Sequence, residues 1–144
     1  MDDACEIAAR NATPDEVAGI LRTARRIAVV GLSPKPDRPS HEVAAYLQRA
    51  GYTIIPVNPN AEAVLGEKAY ASLDEVPGPV DVVDVFRKPA AVPPVVDAAV
   101  RIGAKAVWMQ TGIVNNAAAA TARAAGLQVV MNRCMMVEHR ALPR

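Results

Sequence analysis

Gly31, Ser33, Lys35, Arg38 and Ser40 fall within ten residues of one another, directly after the apolar run Ile27-Ala28-Val29-Val30. Hydroxyls and cations around a glycine are groups that hold phosphate: the cations supply charge-assisted hydrogen bonds, and the glycine lets a ligand approach the backbone. Ser40, followed by Val43, Leu47 and Ala50, is predicted to cap a helix whose first amides are free and add partial positive charge. The chemistry expected here is binding of a phosphorylated ligand.

These residues need a strand to deliver them and a helix to receive them. Ile27–Val30 is β-branched and ends at Gly31, so the unit is strand, loop, helix, the first arm of a nucleotide-binding α/β fold. The chain repeats it. Tyr52–Val57, Val80–Phe86, Ala106–Met109 and Gln128–Met131 are predicted strands. Val92–Ile102 and an alanine-rich stretch from Asn115 or Asn116 to Gly126 are predicted helices. Thr13-Pro14-Asp15-Glu16 is a capping box with proline at the first helical position, so a leading helix is laid beside the sheet. Between Ala61 and Pro79 the pattern breaks up, with a short extra strand expected over Gly66–Tyr70 and a helical turn over Ser72–Val76. Near-continuous apolar strands alternating with helices predict one doubly wound, Rossmann-like parallel sheet covered on both faces.

In such a sheet ligands bind beyond the C-terminal strand ends. Those ends carry Ser33, Lys35, Arg38 and Ser40; then Asn58, Pro59 and Asn60; then Arg87 and Lys88; then Gln110, Thr111 and Gly112. A dinucleotide cofactor is disfavoured, because Gly31-Leu32-Ser33-Pro34-Lys35-Pro36 lacks the further glycines of the pyrophosphate turn and Pro56-Val57-Asn58-Pro59 lacks a ribose-binding carboxylate. A Walker loop is absent too. Asp84, inside an apolar strand, is expected to be bonded to backbone amides or an arginine. His139 is expected to be structural, and His41 either caps its helix, touches ligand or is a surface residue. Cys134 follows the last strand beside Arg133 and is expected to be a buried inert thiol, the alternative being one activated by that cation.

Composition narrows the partners. A net charge of +1 and an aromatic content of 3% give neither a field for nucleic acid nor platforms for stacking bases. Although 51% of residues are hydrophobic, no run approaches the ~20 needed to cross a membrane. The acidic start Met1–Glu6 has no export signal, so a cytoplasmic protein is expected, with Cys5 and Cys134 as thiols. Nothing in the sequence identifies a protein partner.

Several blocks together resemble a known family. They are Val30-Gly31-Leu32-Ser33 with Lys35–Ser40, Pro56-Val57-Asn58-Pro59, Val83–Arg87, Trp108-Met109-Gln110 with Gly112, and Asn132–Met135 with Glu138-His139. In this order they resemble the small stand-alone CoA-binding proteins, whose domain is similar to the N-terminal CoA-binding domain of the succinyl-CoA synthetase alpha subunit. The resemblance covers almost everything from Ile27 to Leu142, so the expected organisation is a leading helical segment, 1–24, packed on a CoA-binding domain, 25–144. The resemblance implies coenzyme A or an acyl-CoA as ligand. Gly31, Ser33, Lys35, Arg38 and Ser40 would hold the phosphates, and Val57, Asn58, Pro59 and Asn60 would flank the adenosine. Phe86, Arg87, Gln110 and Thr111, with Gly112 beside them, would line the pantetheine arm, and Cys134 would lie near the thiol end. The synthetase works through a phosphorylated histidine in a second domain, which the sequence up to Arg144 does not contain, so a binding module without ligase chemistry is expected. The alternatives from other classes are an enzyme using a dinucleotide or Cys134 as nucleophile, and an interaction protein with a vestigial pocket.

Overall fold

The computed structural model describes residues 7–143; Cys5, expected as a thiol, lies outside them. In chain order the main elements are α1 (Pro14–Thr23), β1 (Arg26–Val30), α2 (Pro39–Arg49), β2 (Thr53–Val57), β3 (Ala63–Val64), β4 (Glu67–Lys68), β5 (Val82–Val85), α3 (Val92–Arg101), β6 (Ala106–Met109), α4 (Asn116–Ala124), β7 (Gln128–Val130) and α5 (Met135–Arg140). The sheet runs β2-β1-β5-β6-β7, and every pairing in it is parallel. From β1 the chain goes outward to β2, then crosses back to place β5 on the other side of β1. The strand order therefore reverses between β1 and β5, the position where a doubly wound sheet opens a crevice at its C-terminal edge.

Alternation along the strands divides the core into two layers. Ala28, Val30, Val83, Val85, Val107 and Met109 pack with Val92, Val96 and Ala99 of α3 and Ala118, Ala119 and Ala122 of α4. Ile27, Val29, Val82 and Trp108 pack on the opposite face with Val17, Ile20 and Leu21 of α1, Val43, Ala44 and Leu47 of α2, and Met135 of α5. The predicted capping box is present: Glu16 N–H donates to Thr13 Oγ1 at 3.2 Å, and Thr13 N–H donates to Glu16 Oε1 at 2.8 Å. Asn115 caps α4 by accepting from Ala118 N–H at 2.9 Å.

Local polar contacts cover part of each sheet edge. On the β7 side the Asn11 amide imitates a neighbouring strand, donating to Met131 C=O at 2.8 Å and accepting from Met131 N–H at 2.9 Å. On the β2 side Pro56 offers no N–H, and its carbonyl accepts from Tyr70 N–H at 3.0 Å. The structure also corrects two sequence boundaries. Strand β7 stops at Val130 because the chain turns away at Asn132, at φ +57° and donating its N–H to Ile113 C=O, and the strand expected over Gly66–Tyr70 is a β3–β4 hairpin followed by a single bridge from Tyr70 to Val57. Leu65 and Gly66, both at positive φ, form the tight turn that splits the segment.

Two further expectations change. Arg38, not Ser40, is the N-cap residue of α2; Pro39 takes the first helical position, and the buried Ser40 turns its hydroxyl back over the preceding loop. Helix α5 has no counterpart among the predicted elements, which end with the last strand.

Candidate functional site

The loop from β1 to α2 holds itself together with the groups expected to face a ligand. Ser33 N–H donates to Ser40 Oγ at 3.0 Å, and Lys35 N–H donates to Ser33 Oγ at 3.1 Å. His41 Nδ1 is 2.9 Å from Ser33 C=O, to which it can only donate. In the first turn Pro39 has no N–H, while the His41 and Glu42 amides both return to Arg38 C=O at 3.1 Å. The helix start thus offers fewer free amides than the sequence suggests. Gly31 has φ +87°, and a Cβ there would stand 2.4 Å from the Phe86 carbonyl oxygen. The demand for glycine at this position comes first from β5 crossing close to the end of β1.

Beyond this contact, at the β1/β5 switch point, opens a cleft of about 430 Å³. It brings together Gly31, Ser33, Arg38, Ser40, Phe86, Arg87, Gln110, Thr111 and Cys134 from the site expected in the sequence. Pro39, Val43, Lys88 and Ile113 line it as well. Of these four, Lys88 had a signal in the sequence as a strand-end cation and Val43 read only as the buried face of a helix; Ile113 carried no signal of its own. The lining contains arginine and lysine and no carboxylate, so the cleft favours an anion, with an apolar wall of Val43, Phe86 and Ile113 beside the charge.

The other expected residues lie elsewhere. Lys35 is exposed on the loop and is not part of the cleft lining. The Val57 side chain is in the core, and its carbonyl accepts from Gly31 N–H at 3.0 Å. Asn58 braces the two loops, donating to Leu32 C=O at 2.9 Å and accepting from Asn60 N–H at 2.8 Å. Asn58 and Pro59 border a second depression, of about 610 Å³, with Glu62, Lys68, Tyr70 and Glu75. Asn60 lines neither hollow. Gly112, at φ +84°, donates its N–H to Asn132 Oδ1 at 2.7 Å, which shapes the turn after β6.

Behind the cleft, Asp84 is fully buried and held neither by backbone amides nor by arginine, as the sequence suggested. Its Oδ1 accepts from Gln110 Nε2, and its Oδ2 has no partner. Gln110 Oε1 in turn accepts from Met135 N–H at 3.3 Å, at the start of α5. Burial pushes the Asp84 carboxyl up to about 7, against the smaller lowering effect of the Gln110 hydrogen bond. Cys134 is a half-buried free thiol immediately before α5. His139 is structural: its Nδ1 lies 2.8 Å from Tyr46 Oη, and its ring meets Tyr46 and Tyr52 edge-on. Among the described residues there is no group of three or more His, Cys, Asp or Glu placed to hold a metal ion, and no helix long and apolar enough to cross a membrane.

Known proteins share this sequence family and fold. A family model described as a CoA binding domain matches residues 25–140. The uncharacterized protein YneT of Bacillus subtilis is 44% identical over 130 residues, covering 90% of this chain and 96% of that protein. The solved structure of a hypothetical protein from Pyrococcus horikoshii superposes with a TM-score of 0.89 at 42% identity, covering 95% of this chain and 96% of the other. The alpha subunit of an ADP-forming acetate–CoA ligase II from Pyrococcus furiosus is 45% identical over 58 residues, which are 40% of this chain and 13% of that subunit.

Proposed function

The chain belongs to the CoA-binding domain family, and from that premise we propose that it is a binding module whose cleft holds coenzyme A or an acyl-CoA. The observation that carries this reading is the convergence of Arg38, Arg87 and Lys88 on one cleft at the switch point, with no acidic side chain in its lining. CoA carries a pyrophosphate and a 3′-phosphate, and arginine forks suit both. In this reading the loop from Gly31 to Ser40 receives phosphate, and the hollow beside Asn58 and Pro59 receives the adenosine. The pantetheine arm runs past Phe86, Arg87, Gln110 and Thr111, with its thiol end toward Cys134.

Binding is preferred to thiol catalysis because a cysteine nucleophile needs a base within hydrogen-bond reach. Among the described residues no histidine hydrogen-bonds the Cys134 thiol, and His41 and His139 direct Nδ1 to Ser33 C=O and Tyr46 Oη. A dinucleotide is disfavoured because β2 runs into Asn58 and Pro59 where a ribose would need a carboxylate.

Calorimetry with CoA and NADH tests the proposal. CoA should bind and NADH should not; comparable affinity for NADH with no heat from CoA would overturn it.

A further inference from the structure

Asp84 is the one ionisable side chain in the middle of the parallel sheet, and the binding reading leaves it without a task. Its strand alternation puts it on the face of Val82, and its register partners are Val29 and Trp108. That face is covered by Val43, Ala44 and Leu47 of α2, by the apolar stripe of α1 and by Met135 of α5, none of which carries charge. The charged and titratable groups nearest in sequence to this cover are Glu16 and Arg22 on α1, His41 and Glu42 on α2, Arg133 and Cys134 before α5, and Glu138, His139 and Arg140 on α5. The influences felt by the carboxyl are its burial and the Gln110 amide.

A single amide bond serves a carboxylic acid better than a carboxylate, since an ionised oxygen left without a partner in the core costs more than a neutral hydroxyl. The same amide group ties Asp84 to the cleft. Gln110 lines the cleft, and its other end receives Met135 N–H, the residue after Cys134, which also lines it. The carboxyl is therefore two hydrogen bonds from one wall of the cleft and directly bonded to another.

We propose that Asp84 is a positioning residue for the cleft and that it takes up a proton when an anionic phosphate ester binds there. The proposal rests on the CoA reading for its ligand. Phosphates entering the cleft bring negative charge toward the carboxyl, and a ligand arm over Gln110 excludes water from above it. Both act in one direction, toward the neutral acid. Because the free carboxyl is pushed up to about 7, ligand affinity should be greatest below that pH. It should fall by up to about tenfold per pH unit above it.

The first test needs no ligand. In the free protein, the NMR signals of the Asp84 carboxyl, the Gln110 side-chain amide and the Met135 amide should titrate together near neutral pH, and in Asp84→Asn the two amide signals should not titrate. Amide signals that stay fixed from about pH 5 to about pH 9 while the carboxyl titrates would remove the relay. The second test is CoA calorimetry at about pH 8, where the ligand's own phosphate is fully ionised, in buffers of different ionisation enthalpy. Wild type should take up protons on binding that Asp84→Asn does not. Equal proton counts in the two proteins would overturn the linkage while leaving CoA binding intact. Absence of CoA binding in wild type would instead overturn the proposed function, and the NMR titration would still decide the relay.

Discussion

Arg38 and Lys35 stand in the same loop, yet only Arg38 reaches the cleft. A charge-assisted hydrogen bond contributes about 1.5–3 kcal/mol, so Arg38→Ala should weaken CoA binding roughly tenfold to a hundredfold. Lys35→Ala should bind nearly as wild type at moderate salt, because an exposed charge is screened there. Calorimetry on both variants at two salt concentrations separates them; equal losses would place Lys35 on the phosphate as well. Cys134 carries a second expectation. Its thiolate should attack a CoA disulfide, forming a protein–CoA disulfide and releasing one CoA thiolate. Intact mass should show a reducible CoA-sized adduct on wild type and none on Cys134→Ser, and an adduct mapping to Cys5 alone would reject the assignment. Gly31→Ala tests a contact inside the protein: with positive φ and the Phe86 carbonyl in the way, it should lose more than about 1 kcal/mol in denaturant unfolding.

The elements around the site depend on caps and edges that are polar and local. Asn11→Ala would remove both bonds to Met131 and leave those backbone groups without their partner, at a cost of about 1–3 kcal/mol. The loss should appear as faster amide exchange in β7 with little change in β1, whereas uniform acceleration would mean that the segment before α1 stabilises the whole domain instead of one edge. Legibility also varied by element. Helices α1 and α4 announced themselves through Thr13 and Asn115, whose side chains bond nearby amides, so cap and spacing lie in one short stretch. Helix α5 gave no such sign: Cys134 makes no side-chain cap, and Met135 is its single fully buried residue. At Ser40 the residue type was right for a cap, but the hydroxyl was claimed by Ser33 N–H across the loop.

For the molecule as a whole, Asp84 should shape stability against pH. Its carboxyl is held at about 7 when folded and returns to near 3.8 when unfolded, so between these values the folded state binds the extra proton. Stability from this group is therefore fully present below the unfolded value and is lost as pH rises toward about 7, at up to about 1.4 kcal/mol per pH unit. Asp84→Asn should remove that slope in denaturant melts taken across the range; an unchanged slope would assign it to other groups. Saturating CoA at about a hundred times its dissociation constant should add about 2.7 kcal/mol, read as a rise in Tm.

The order of strands, loops and helices was present in the sequence because it follows from local patterns. Apolar β-branched runs, capping residues and glycine stops act over a few residues, and burial imposes its period on them wherever they sit. The pool of strand-end residues was visible for the same reason. Which of those ends meet was not, since that depends on strand order. Placing β5 beside β1 unites Arg38 with Arg87, pairing β5 with β6 unites Asp84 with Gln110, and Asn58 and Pro59 are left bordering a different hollow beside β2. The partners Asp84 and Gln110 are 26 residues apart, and Met135 is 25 beyond Gln110. No local preference couples such distant positions; pairing of β5 with β6 and packing of α5 on the sheet bring them together.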